Sequence, residues 1–268
     1  MGDSEKGQVS ASAAQIYEEF YISALFSQWP PRVIEAARIG IGQYVVDVAC
    51  GTGVLTCAVA EQVGPEGITV GIDINDGMLD VAREKAPQID WRQAPAEALP
   101  LDDDSVDCVV SQFGLMYFED QQGALQEMLR VLRPGGNLAV VVWDKLENSP
   151  GYAAEDRLFQ QVLGDEASDE QPYSLGDRQV LQQLFTRAGF SEAEVRTHEG
   201  TACFPSIEDW IFADVRGWTI DDMIDDEAYQ RLLNEARHAL ASFVTAEGTV
   251  AFPAPAHIVT ASKPAAAQ

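Results

Sequence analysis

Between Tyr44 and Trp143 the chain alternates short apolar runs with helix-patterned segments, and that alternation leaves few folds open. The runs are Tyr44–Ala49 (YVVDVA), Ile68–Asp73 (ITVGID), Ile89–Gln93, Val106–Gln112 (VDCVVSQ) and Asn137–Trp143 (NLAVVVW). The first is continuously apolar except for one acid, as a strand covered on both faces must be. Val54–Val63 reads as a helix closed by Gly64-Pro65, and a helix capped by Asp76 runs to about Lys85 before Pro87. Gln122–Leu132 reads as a third, ending at Arg133-Pro134-Gly135-Gly136. Strands separated by helices are expected to form a parallel sheet with right-handed crossovers, a doubly wound α/β fold.

The second half is less regular. Asn148–Ala188 has a helical pattern broken by the acidic loop Gly164–Gln171, and Ala193–Phe204 can form a sixth strand. Thr249–Ser262 reads as a last strand whose first half Pro253 and Pro255 demote to an edge or bulge. Ser206–Ala241, helical and inserted between those strands, is placed to cap the carboxyl ends of the sheet, where open α/β sheets bind ligands.

The sharpest local signal is the turn that follows the first strand, Asp47-Val48-Ala49-Cys50-Gly51-Thr52-Gly53. Glycines there let a ligand approach the backbone, and the helix that follows offers unpaired N–H donors. Asp73, ending the second strand, is placed to accept both hydroxyls of a ribose. A dinucleotide site would want a third glycine, and Thr56 stands there instead. An acid inside the strand, Asp47, suits a cationic ligand better than a pyrophosphate.

These segments resemble the motifs of class I S-adenosylmethionine-dependent methyltransferases. The first strand and turn are similar to the family's (V/L)LDxGxGxG motif, and Gly71–Ile74 with Met78-Leu79 to its ribose-binding segment. Gln93–Pro100 (QAPAEALP) resembles its GDAExLP segment, Asp104–Val110 its fourth strand, and Leu129–Leu138 (LRVLRPGGNL) its LRxLKPGGxL signature. YEEFYISALFSQW and FPAPAHIVTA resemble the small-molecule, ubiquinone/menaquinone-biosynthesis-like branch, also called methyltransferase type 11.

The resemblance implies a Rossmann-like doubly wound seven-stranded sheet, parallel with a C-terminal antiparallel strand, plus an inserted helical cap. It implies one domain over residues 1–268. An N-terminal helical lid (1–40) would lead into a cofactor-binding core (41–147), connecting helices (148–192), and two last strands with the cap (193–268). The implied activity is methyl transfer from S-adenosylmethionine to a small-molecule acceptor, leaving S-adenosylhomocysteine, with no metal.

Carried over by position, Asp47, Ala49, Gly51 and Gly53 form the loop under the methionine moiety. Asp73 binds the ribose, Ile74 and Met78 flank adenine, and Ala96 and Glu97 lie at its edge. Ser111 and Gln112 line the methyl-transfer side. Ala49 stands where the family has glycine, a change that a backbone at negative φ tolerates, and Pro95 stands where it often has Asp. Other S-adenosyl-ligand enzymes, a nicotinamide-dependent oxidoreductase and a non-catalytic nucleotide-binding module are the alternatives.

No base for the chemistry can be named. The three histidines, His198, His238 and His257, read as structural or exposed. Tyr117, Trp143 and Trp210 are the candidate acceptor contacts, with Tyr173, Phe204, Phe212 and Trp218 as further aromatics of the pocket or of the cap's own core. Tyr17, Phe20, Phe26 and Trp29 read either as a helix packed on the sheet or as a lid over the cofactor.

The net charge of −26, from 43 acids against 17 bases, repels phosphate backbones and anionic lipid, so neither nucleic acid nor membrane is expected as a partner. So acidic a surface also suits a salty cytoplasm, and a halophilic source is one explanation of it. The N-terminus has neither the basic nor the apolar region of a signal peptide, so the expected location is cytoplasmic, as monomer or homodimer. The four scattered cysteines, Cys50, Cys57, Cys108 and Cys203, have no metal-site spacing and read as buried apolar residues.

Overall fold

The computed structural model describes residues 11–168, 170–217 and 224–265. The chain enters through α1 (Ala11–Ile16), a π-helical stretch (Tyr17–Phe26) and α2 (Pro30–Ala36). Then follow β1 (Tyr44–Val48), α3 (Val54–Val63), β2 (Ile68–Asp73), α4 (Asp76–Lys85), β3 (Asp90–Gln93), β4 (Val106–Gln112), α5 (Gln121–Val131) and β5 (Leu132–Trp143). The second half adds α6 (Pro150–Leu163), α7 (Arg178–Arg187), β6 (Glu194–His198) and β7 (Thr201–Phe204). It closes with α8 (Ile207–Arg216), α9 (Asp226–Ala239), β8 (Val250–Pro253) and β9 (Ala256–Ser262).

Seven strands form one sheet in the order β3-β2-β1-β4-β5-β9-β6, parallel from β3 to β5, with β9 antiparallel to both its neighbours. The doubly wound sheet with its C-terminal antiparallel strand is therefore as the sequence reading has it. Chain order reverses between β1 and β4, which opens a crevice at their carboxyl ends. Val45, Val46, Val109, Val110 and Val140 are solvent-free, as strands with helices on both faces require, and each such valine contributes about 1.5–3 kcal/mol by leaving water. Among the described residues no helix is long and apolar enough to cross a membrane.

Several boundaries differ from those the sequence suggested, each for a local reason. The cap of α4 is Asn75, whose side chain accepts from the Met78 N–H; Asp76 is the first helical residue and pairs with Arg83 instead. Helix α5 stops at Val131 because Leu132 already pairs with Val106, and the Arg133–Gly136 turn is an excursion within β5 around a register shift. The two long C-terminal strands each break in two. Gly200 lies against the Trp29 ring and the Ala254 carbonyl, and Pro255 has no N–H to offer a ladder. The first half of one and the second half of the other stay in the main sheet as β6 and β9. The remaining halves, β7 and β8, pair as a separate ribbon, with α8 and α9 inserted between them. Cys203, on that ribbon, is exposed and Cys57 half-buried, so only Cys50 and Cys108 are buried as expected.

Beneath the turn after β1 lies Trp91 of β3, its indole N–H donating to the Ala86 carbonyl at 2.9 Å. A Cβ at Gly71 would stand 2.3 Å from this ring, and one at Gly53 2.5 Å from it. Gly71→Ala is therefore expected to lower stability by about 1–3 kcal/mol through overpacking. An unchanged midpoint in denaturant titration would show that the ring yields without cost.

Candidate active site

The crevice at the β1–β4 switch point is built from strained strand ends. After Val48 the chain turns through Ala49 at φ 59° and Gly51 at φ 55° to Gly53 at φ 84°, which starts α3. Ala49 thus occupies the left-handed region, not the negative φ that would make it an easy substitute for glycine. Room for its methyl group exists because Gly114 is opposite, where a Cβ would come within 2.5 Å of it. Phe113, ending β4, is also left-handed at φ 57°.

Asp73 holds this turn in place. Its Oδ2 accepts from the Gly51 N–H at 2.7 Å and its Oδ1 from the Asn75 N–H at 2.8 Å, which leaves lone pairs on both oxygens. Asp47 is buried one strand away. Its Oδ2 accepts from the Thr56 hydroxyl at 2.6 Å, and its Oδ1 has no partner. Burial is the main force that raises the Asp47 carboxyl to about 7, with the Thr56 bond opposing it. Thr52 Oγ1, Ser111 Oγ and Gln112 Oε1 are also buried without partners around the same crevice. Orphaned polar atoms cost about 1–3 kcal/mol each. Four at one switch point mark a place for a polar ligand, and the bare carboxylate oxygen of Asp47 suits a cationic group.

The flanking residues divide. Ile74 stays half exposed beside Asp73, while Met78 and Ala96 are buried. Glu97 accepts from the Asp120 N–H at 3.3 Å, a bond that steadies the start of α5, and Pro95 is exposed.

The N-terminal segment packs on the sheet. Trp29 packs edge-on against Phe113 at 5.5 Å, and Phe26 lies 6.1 Å from Trp143 over the sheet. Tyr17 reaches further. Its hydroxyl is pushed far above the usual tyrosine range, first by burial and then by the charges of Asp73, Glu18 and Asp47. Glu18 pairs with Lys85 at 2.5 Å, and Lys85 also donates to the Thr52 carbonyl at 3.1 Å, tying this segment to the glycine turn. The π-helical winding, with Ser27 N–H bonded to the Ile22 carbonyl five residues back, brings Tyr17, Tyr21 and Phe26 into one cluster.

That cluster forms one wall of a cavity. Tyr117 and Trp143 line it, Trp143 stacked on Phe113 at 3.7 Å, and Tyr173 joins them. Trp210 does not line it. It is solvent-free in the cap's own core, stacked on Phe204 at 5.8 Å and 4.7 Å from Phe252, and Phe212 packs on Phe20. Trp218, Asp221 and Asp222 lie outside the described residues.

Sequence reasoning missed Tyr152 and Glu155 of α6 and Asp214 of α8, which all line the cavity. Spacing could not have found them, because α6 and α8 meet only in the fold. The histidines stay clear of the cavity. His257 is locked between Thr197 and the Gly176 carbonyl at 3.0 and 2.9 Å, beside Asp144, while His238 is exposed. Among the described residues no cluster of three or more metal-ligating side chains occurs.

Residues 23–206 match the model of the ubiE/COQ5 methyltransferase family. A demethylmenaquinone methyltransferase of Staphylococcus carnosus is 34% identical over 188 residues, covering 64% of this chain and 78% of its own. A ubiquinone/menaquinone biosynthesis C-methyltransferase of Teredinibacter turnerae is 35% identical over 199 residues, covering 65% and 80%. In fold, the chain is similar to a phosphoethanolamine N-methyltransferase of Haemonchus contortus solved with S-adenosyl-L-methionine. The TM-score is 0.63 at 16% identity, over 97% of this chain and 59% of that one.

Two measurements test this geometry. Replacing left-handed Ala49 by glycine should raise stability by about 1 kcal/mol, seen as a higher melting temperature; no rise would remove the strain argument. For Asp47, the folded carboxyl titrates near 7 against an ordinary 3.8, so the folded state holds its proton more tightly. This side chain's contribution to ligand-free stability then falls as pH rises through that window and stays lost above it. Asp47→Asn should be more stable than the parent at pH 8 and lose that advantage near pH 4. The same gap at both pH values would mean that Asp47 is not desolvated.

Proposed function

The chain belongs to the ubiE/COQ5 methyltransferase family, and on that footing we propose which residues hold the methyl donor and where the acceptor enters. It is an S-adenosylmethionine-dependent methyltransferase acting on a small-molecule acceptor. The bare Oδ1 of Asp47 under the glycine turn, with the free lone pairs of Asp73 at the next strand end, is the observation that carries the site assignment.

In this reading Asp47 faces the donor's ammonium group, and Ala49, Gly51 and Gly53 form the floor beneath its methionine part. Asp73 accepts from the ribose hydroxyls while keeping its two backbone bonds. Ile74, half exposed without a ligand, is covered by adenine, with Met78 behind it and Ala96 and Glu97 at the ring's edge. Ser111 and Gln112 use their unpaired oxygens on the side where the methyl group is passed. Bound there, S-adenosylmethionine supplies an electrophilic methyl on a sulfonium and leaves as S-adenosylhomocysteine.

What the chain itself contributes is alignment and exclusion of water, the main needs of an in-line displacement. Residues 11–40 act as the lid, with Tyr17 standing between donor loop and cavity. The cavity, reached past Tyr17, Tyr117 and Trp143, holds the acceptor. The names of the two relatives point to quinone-type acceptors, and the aromatic lining suits a flat ring. A net charge of −26 speaks against a nucleic-acid acceptor.

Calorimetric titration with S-adenosylhomocysteine tests the assignment. Asp73→Ala is expected to weaken binding by about 1–3 kcal/mol, the range for stranding buried polar partners, and Asp47→Asn to weaken it as well. Unchanged affinity in both variants would move the donor site elsewhere.

A further inference from the structure

The cavity is lined by two carboxyl groups, Glu155 of α6 and Asp214 of α8. Glu155 is 6% exposed, and its Oε1 has no hydrogen-bond donor. Asp214 accepts from the Tyr21 hydroxyl through Oδ1, and its Oδ2 has no donor either. Both carboxyls face the same cavity, one from α6 and one from α8. Burial, then the Asp214 charge, pushes the Glu155 carboxyl well above the usual range. Burial raises Asp214 as well, and the Tyr21 bond opposes that rise. Ionised, the pair presents negative charge to the cavity through two oxygens without donors.

Nothing in the lining balances that charge. The wall has five tyrosines, two phenylalanines and Trp143, with Asp156 as a third acid, and no Lys, Arg or His among the described residues. A carboxylate or phosphate ligand would meet repulsion and no donor of positive charge. A neutral ring would leave the buried charge unpaired, which is costly in such surroundings. A cation gains twice, from the carboxyl pair and from aromatic faces whose π electrons attract positive charge.

Resting on the reading of this cavity as the acceptor site, we propose that the acceptor carries a protonated or quaternary amine, whose charge is met by Glu155 and Asp214 and whose body packs on the tyrosine and tryptophan faces. The class is set by these residues and differs from the quinone-type ring in the relatives' names.

The test uses the full chain and three probes with one ring and different charge: benzyltrimethylammonium, benzyl alcohol and benzoate. With S-adenosylhomocysteine present, calorimetry should find the cation bound at least about tenfold more tightly than either of the others. Asp214→Asn, alone and combined with Glu155→Gln, should reduce that affinity about tenfold or more. S-adenosylhomocysteine affinity should stay within about twofold in these variants, which also reports that they fold. Equal binding of the alcohol, or cation binding indifferent to both variants, would overturn the amine proposal and leave the donor site standing. Carboxyl-dependent cation binding in a parent that does not bind S-adenosylhomocysteine would uphold the cation site and overturn the donor-site reading instead.

Discussion

The site depends on the carboxylate of Asp73, which fixes the glycine turn by accepting from Gly51 and Asn75 across the gap between two strand ends. Without these bonds the turn would keep the Gly53-to-Cys50 and Cys50-to-Ile72 backbone bonds, the Lys85 bond to the Thr52 carbonyl and its own left-handed residues. With them, the N–H groups at the start of α3 and the buried oxygens around β1 and β4 are held in one arrangement before any ligand arrives. Preorganisation of this kind removes ordering cost from binding. It also explains how the chain tolerates Ala49 at a positive φ: the surrounding bonds over-determine the turn, and Gly114 provides the space.

The parallel core was legible because it is written in short-range pattern. β1, β2 and β4 are valine- and isoleucine-rich runs between glycine and proline stops, and the Asp73 position follows from a strand ending in an acid. The turn that Gly51, Gly53 and Asp73 shape could be located from the sequence because it follows from local spacing. The second half was harder because its strands change partners. One β-rich run serves two sheets when a crowded glycine, Gly200, or a proline, Pro255, interrupts the ladder, and pattern alone does not say which half goes where.

The cavity was the least legible part. Its wall draws on the π-helical stretch, α6, α8, the end of β5 and the turn after β4, which are joined only by tertiary contact. The clustering of Phe26 with Tyr17 and Tyr21 follows from π-helical winding, whereas a period of 3.6 would turn Phe26 to the opposite face. Trp210 shows the converse error. Its segment reads as a pocket wall, yet its ring is packed among Phe204, Phe243 and Phe252.

The packing of Trp91 under the donor turn has one more consequence. Its indole is in van der Waals contact with the space over Gly53 and Gly71, while Trp29, Trp143 and Trp210 sit in other parts of the core. Whatever shifts the turn changes the surroundings of this ring before those of Trp29, Trp143 and Trp210, the other tryptophans among the described residues. The protein therefore carries a fluorophore of its own at the floor of the glycine turn, and its emission gives an optical view of that turn.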